Sequence, residues 1–320
     1  MSVETVSMAQ QAEWLPDPAA PSWQSRCLVG LLRLLPIKKR LASGAAVQQQ
    51  VRAMALRPMC YEPAGLGRGI EVERMESAAG WPVYETATAA ARGNARHVVF
   101  LHGGGFFREI VRAHWRFVAY LNREAVVRCI VPIYPLTPGS TARDLVPATG
   151  ELLRELMDRV GAENVTVVGN SAGAALGLAA AQWIRDAGHE QPRALVLISP
   201  GGDFSVSRPE QIAIAARDPL QDIPGVREAG RMYAGELDAS HPYVCPLNAS
   251  FERLPPMTIF SGTLDLFYPD CIDMAAKARA AGVPVDLHLR QGQPHNYAAM
   301  PTPEGREARA AILRVLAEDR

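Results

Sequence analysis

Apolar and polar positions change period several times along the chain. Residues up to about 60 are polar at first and then helical in spacing, with Pro16, Pro18, Pro21 and Pro36 as punctuation and a helical run at 44–56. From Ile70 the period shortens toward two in IEVERMES, and PVYETAT (82–88) follows after Gly80, which predicts an antiparallel strand pair. Four short β-branched apolar runs come next, at 97–105, 126–135, 164–173 and 193–202, each ending in a Gly- or Pro-rich turn. Helical stretches near 112–125, 140–160 and 172–188 separate them. Strands this apolar need helices over both faces, so a parallel sheet is predicted. The alternation stops after Gly202. Residues 203–253 carry Pro209, Pro219, Pro224, Pro242 and Pro246, with a helical piece at 225–237 and no strong strand, which predicts an insertion at the carboxyl edge of the sheet. It resumes with a strand at 257–262, a helix at 268–281, a strand at 285–290 and a helix from about 304 to 316. The expectation is an α/β fold with a mostly parallel, eight-stranded sheet. Its parts are an N-terminal helical segment (1–60), a core (61–202 and 254–320) and an inserted segment (203–253).

Composition narrows the partners. The 320 residues hold 33 Lys+Arg against 33 Asp+Glu, so no net charge draws the chain to nucleic acid or to an anionic membrane. Cys27, Cys60, Cys129, Cys245 and Cys271 are odd in number and never form CxxC, which argues against a disulfide framework or zinc knuckle. A reducing, cytoplasmic setting is the simpler expectation. The start, MSVETVSMAQQAEW, has no basic and apolar signal pattern, and no stretch nears the roughly 20 apolar residues that span a bilayer. Residues 27–40, CLVGLLRLLPIKKR, predict an amphipathic helix packed on the body with a basic end; a membrane-surface or partner contact is the competing reading.

The chemistry concentrates at strand ends. Gly169-Asn170-Ser171-Ala172-Gly173 lies between an apolar strand and a helix, where a tight turn lets a serine stand clear of the backbone; Ser171 is the candidate nucleophile. Upstream, His102-Gly103-Gly104-Gly105-Phe106 ends another strand. Three glycines let amides point into a site, so Gly104 and Gly105, with Ala172, are candidate oxyanion donors. His102 is expected to orient that loop, supported by Gly103 and Asn170. Phosphate binding by the triple glycine is the lesser reading, because neither GxGxxG nor a following Gly-Lys-Ser/Thr is present. A serine needs a base, and the base an acid. His295 and Asp265 follow the last two strands, in the chain order Ser, Asp, His; Asp203 is the rival acid and Asp270 is expected to brace the Asp265 loop. His97, His114, His189, His241 and His288 sit where structural roles are expected. No motif calls for a metal or cofactor.

Residues from about 70 to 317 resemble the α/β-hydrolase superfamily, and HGGGF, GNSAG, GTLDLFYPD and PHNY resemble its hormone-sensitive-lipase-like esterases. YPLTPG at 134–139 is similar to a bacterial subgroup named acetyl-hydrolases or esterases. The resemblance implies Ser171 as nucleophile, Asp265 as acid and His295 as base, with the N-terminal segment and the insertion packed as a cap over the acyl site. Trp14, Trp23, Met232 and Tyr233 are its candidate pocket-lining groups, or cap core. Asn170 departs from the family's usual aspartate, Ala174 and Ala175 from a Gly-Asn pair, and Pro135 and Gly139 from an Arg and a Glu. The function expected is a serine carboxylesterase for short- to medium-chain acyl esters. Alternatives are a deacetylase for one O- or N-acetylated metabolite and a non-catalytic small-molecule receptor on a hydrolase scaffold. The expected partner is a small-molecule ester, with a homodimer left open.

Overall fold

The computed structural model describes residues 16–318. Strands β1 (Ile70–Glu76), β2 (Pro82–Thr88), β3 (His97–Leu101), β4 (Arg128–Pro132), β5 (Val165–Asn170), β6 (Ala194–Ile198), β7 (Met257–Gly262) and β8 (Val285–Arg290) form one sheet in the order β1-β2-β4-β3-β5-β6-β7-β8. β1 pairs antiparallel with β2, and β2 with β4; every other neighbour is parallel. Strands β3, β5, β6 and β7 are buried throughout, which is why their sequences read as continuous apolar runs rather than alternating ones. The period of two survives in what each residue touches. Val99 and Leu101 join one core, with helices α4 (Ala142–Val160), α5 (Ala172–Asp186) and α8 (Tyr268–Ala280). Val98 and Phe100 join the other, with α3 (Arg112–Glu124) and α9 (Pro303–Ala317). Edge strand β1 is largely exposed.

The inserted segment contains α6 (Pro209–Ala215) and α7 (Ile223–Ala234). The second begins before the predicted 225 because the Asp222 side chain caps it, and it stops at Gly235, whose φ of 60° ends the right-handed turn. The N-terminal segment contains α1 (Trp23–Leu34) and α2 (Gly44–Leu56), capped by Ser22 and Ser43. Val47 of α2 packs with Phe107 and with Ala229 and Met232 of α7. A Cβ on Gly225 would lie 2.4 Å from the Leu41 carbonyl oxygen, so the two segments meet closely.

One expectation needs correction. The leucine run at 27–40 packs against the body only in part: Val29 is buried and Leu28, Leu32 and Ile37 are half-buried, but Leu31, Leu34 and Leu35 are exposed. Helix α1 is held at its start by polar contacts: Ser22 and Ser25 hydroxyls donate to the Glu304 carboxylate at 2.9 and 2.6 Å. That anchor turns Ser25 and Val29, one helical turn apart, inward, and those are its buried residues. Trp23 (65% exposed), Leu31, Leu34 (84%) and Leu35 therefore fall on the outer side. No helix among the described residues is long and apolar enough to cross a membrane.

Candidate active site

The parallel strands deliver their carboxyl ends to one edge of the sheet, where ligands bind in open α/β folds. Ser171 follows β5 with φ 54° and ψ −124°, a strained elbow between strand and helix. The glycines beside it are obligatory for close approach. A Cβ on Gly169 would lie 2.6 Å from the Ala174 Cα, and one on Gly173 only 2.1 Å from the Leu101 carbonyl oxygen.

His295 and Asp265 converge on that serine. The His295 Nδ1 lies 2.9 Å from the Asp265 Oδ1, and its Nε2 lies 2.8 Å from the Ser171 Oγ. A carboxylate at Nδ1 fixes the neutral tautomer with its proton there, leaving Nε2 as the acceptor for the serine hydroxyl. Asp265 is fully buried and also accepts from the Phe267 amide at 3.0 Å. Burial pushes its carboxyl up, but the His295 charge and the hydrogen bonds from His295, Ser199 and Phe267 outweigh that and hold it below the ordinary aspartate value. Burial pushes His295 down, while the charges of Asp265 and Asp218 and the Asp265 hydrogen bond win and raise it above 6.5.

The triple glycine lies against the elbow. The Gly103 amide donates to the Asn170 Oδ1 at 2.8 Å, so the asparagine ties the two loops together without the charge of an aspartate. Gly104 (φ 135°) and Gly105 (φ 63°) occupy conformations that favour glycine. Together with the Ala172 amide they donate to no acceptor among the described residues, the condition for an oxyanion hole. His102 holds the loop from behind. Its Nδ1 donates to the Gly103 carbonyl at 2.8 Å, its ring stacks on Tyr134 at 4.3 Å, and the Tyr134 hydroxyl donates to its carbonyl at 2.6 Å. Burial and the neighbouring His114 push His102 down to about 3, so it stays neutral and serves as a scaffold.

Asp203 does not join the site; its carboxylate accepts from the Ser205 amide and hydroxyl, both at 2.7 Å. Asp270 braces a different loop from the one expected. Its Oδ2 accepts from the Gly202 and Asp203 amides, each at 3.0 Å, and its Oδ1 from the Gln211 side chain at 2.9 Å, so it fixes the exit from β6.

Ser171 opens onto a cavity of about 180 Å³. Ile37 and Leu41 from the N-terminal segment, Leu220 and Val226 from the insertion, and Phe204 and Phe267 form its apolar walls. The large side chains singled out from the sequence lie elsewhere. Trp23 is exposed, Met232 is buried against α2, and Tyr233 stacks on Phe106 at 3.6 Å; Trp14 lies outside the described residues. Sequence reasoning also missed polar neighbours of the triad. The Asp218 Oδ2 accepts from the Leu266 amide at 2.9 Å, linking the insertion to the Asp265 loop. Gln221 brings its amide nitrogen within 3.3 Å of the His295 Nε2. Asn296, at φ 61°, donates its amide to the Ser199 Oγ at 2.9 Å and so pins the His295 loop. None of the three stands out in the sequence, Asp218 being one of several carboxylates in the insertion. Among the described residues no group of three or more His, Cys, Asp or Glu could hold a metal.

Residues 98–299 match the family model described as the alpha/beta hydrolase fold, and the chain belongs to that family. It is 32% identical over 216 residues to a triacylglycerol lipase of Mycobacterium tuberculosis, and 30% identical over 196 residues to an acetyl-hydrolase of Streptomyces hygroscopicus. Those matches span 67% and 61% of this chain but only 45% and 66% of the relatives. A crystal structure of an esterase from the bacterial hormone-sensitive lipase family superposes with a TM-score of 0.76 at 25% identity, covering 93% of this chain and 99% of that one. The esterase EstE5 gives 0.78 at 25%, over 92% and 97%.

Proposed function

We propose that the protein is a serine carboxylesterase acting on short- to medium-chain acyl esters. The observation that carries this reading is the unbroken hydrogen-bonded line Asp265–His295–Ser171 at the mouth of an apolar cavity. His295 takes the Ser171 proton as the Oγ attacks the ester carbonyl, and the amides of Gly104, Gly105 and Ala172 receive the charge that develops on the carbonyl oxygen. His295 then protonates the leaving alcohol, and water, deprotonated by the same imidazole, releases the acyl group from Ser171. Asp265 stays ionised and holds the ring. The N-terminal segment and the insertion act as the cap that shapes the acyl site, since both contribute its walls.

The names of the lipase, esterase and acetyl-hydrolase relatives support ester hydrolysis. Likeness to the acetyl-hydrolase favours a second reading, removal of an O- or N-acetyl group from one metabolite. The test is a panel of 4-nitrophenyl esters of rising chain length beside N-acetyl amides, with Ser171→Ala as control. Turnover of short esters that vanishes in the variant is expected; turnover of amides alone selects the second reading, and turnover retained in Ser171→Ala rejects both mechanisms.

A further inference from the structure

A second cavity, about 500 Å³, adjoins the first and shares Gly104, Arg108 and Asn296 with it. Arg40, Gln50 and Arg108 lie there together, among apolar walls from Ala53, Met54, Met59 and Val111. The Arg108 guanidinium sits over the Phe107 ring, 4.8 Å from its centroid, and donates to the Gln50 Oε1 at 2.5 Å. A guanidinium has five N–H donors in a rigid fork. Among the described residues this is the one side-chain hydrogen bond of Arg108, and no carboxylate lies within ion-pair distance of it. Burial, and behind it the like charge of Arg40, lowers the Arg108 pKa. The site therefore holds positive charge and free donors that an anion would satisfy. Glu109 also lines this cavity but forms no ion pair with Arg108; one of its oxygens is buried without a partner, and burial raises its pKa.

We propose that Arg108, assisted by Arg40, is a carboxylate-binding subsite continuous with the catalytic cavity, so that the preferred substrates are esters bearing a carboxylate. This rests on the esterase reading above and names its substrate class. The planar fork suits a carboxylate, which it can grip with two parallel hydrogen bonds. The apolar cavity then takes the hydrocarbon part of the same ester.

The test compares neutral 4-nitrophenyl butyrate with two anionic esters: the mono-4-nitrophenyl ester of glutarate, charged on the acyl side, and 5-butyryloxy-2-nitrobenzoate, charged on the alcohol side. The readout is the ratio of kcat/KM for each anionic ester to that for the neutral one. In Arg108→Gln this ratio should fall by about tenfold or more for one of the two, as expected for a lost charge-assisted hydrogen bond, and the ester affected tells which side of the scissile bond faces the subsite. Arg108→Lys should recover part of it, and Arg40→Gln, at an exposed position, should lower it less. Ratios unchanged for both esters in Arg108→Gln and Arg40→Gln overturn the proposal. A second arm does not depend on turnover. Calorimetry of the corresponding amides, the mono-4-nitroanilide of glutarate and 5-butyramido-2-nitrobenzoate against the neutral 4-nitroanilide of butyrate, on Ser171→Ala and on Ser171→Ala/Arg108→Gln should show one of the two charged amides losing affinity about tenfold with Arg108. If no ester is hydrolysed but this difference appears, the esterase reading fails and the subsite stands; equal affinities overturn the subsite.

Discussion

In the proposed mechanism the Asp265 carboxylate does two things: it fixes which imidazole nitrogen carries the proton, and it stabilises the imidazolium formed during attack. Asp265→Asn should lower kcat by about 10⁴, the scale seen when such an acid loses its charge in place. Asp203→Asn, whose native partner is Ser205, should keep wild-type turnover; steady-state rates of the two variants decide, and the reverse pattern would move the role to Asp203. The base has a second neighbour. Burial and the Asp265 charge push Asp218 up to about 6, and once ionised it helps raise His295. With His295 as the proposed base, only its neutral form can act, so kcat/KM should climb with pH through a midpoint above 6.5. Asp218→Asn removes a charge that favours the imidazolium, and the midpoint should move to lower pH. A kcat/KM profile whose midpoint stays or rises would contradict that assignment.

Strands β3, β5, β6 and β7 are legible in the sequence because buried parallel strands must be apolar, edge strand β8 because Val285, Leu287 and Leu289 alternate with polar residues, and the site loops because GxSxG and the triple glycine sit where strands stop. Ser171, Asp265 and His295 can be picked out for the same reason. The walls of the cavity cannot. Trp23 reads as a pocket group by size and hydrophobicity, yet the polar clasp of Ser22 and Ser25 on Glu304 sets the rotation of α1 and turns Trp23 outward. Ile37 and Leu41, beyond the end of α1, reach the cavity instead. Arg108 and Gln221 carry no sequence signal at all, since only packing brings them to the site. Leu41→Trp should therefore cut kcat/KM for butyrate relative to acetate esters by about tenfold, the scale of losing room for one or two methylenes, whereas Trp23→Ala should leave the chain-length profile where it was. A panel of 4-nitrophenyl esters measures both, and a profile that shifts with Trp23 rather than Leu41 contradicts the cavity walls described above.

Over the whole molecule, the sheet edge gathers loops whose buried carboxyls are held by backbone amides, and this couples stability to pH. Burial pushes Asp270 up to about 8 even against the amides of Gly202 and Asp203. A folded value above the unfolded one means the native state keeps a proton the unfolded chain has lost, so stability declines as pH rises from about 4 to about 8. Asp265, held low, acts in the opposite sense and only at more acid pH. Asp270→Asn should thus flatten the fall in Tm between about pH 5 and pH 8; equal slopes in thermal melts of the two proteins would show that Asp270 is ionised in the fold. All of these effects surround one claim, that Ser171 is a nucleophile activated by His295. It is tested most directly by intact-protein mass spectrometry after brief exposure to a fluorophosphonate. The wild type should gain one adduct, mapped to Ser171 by peptide analysis, with slower labelling in His295→Ala and none in Ser171→Ala. An adduct of equal yield in folded Ser171→Ala, or none in the wild type, would contradict it.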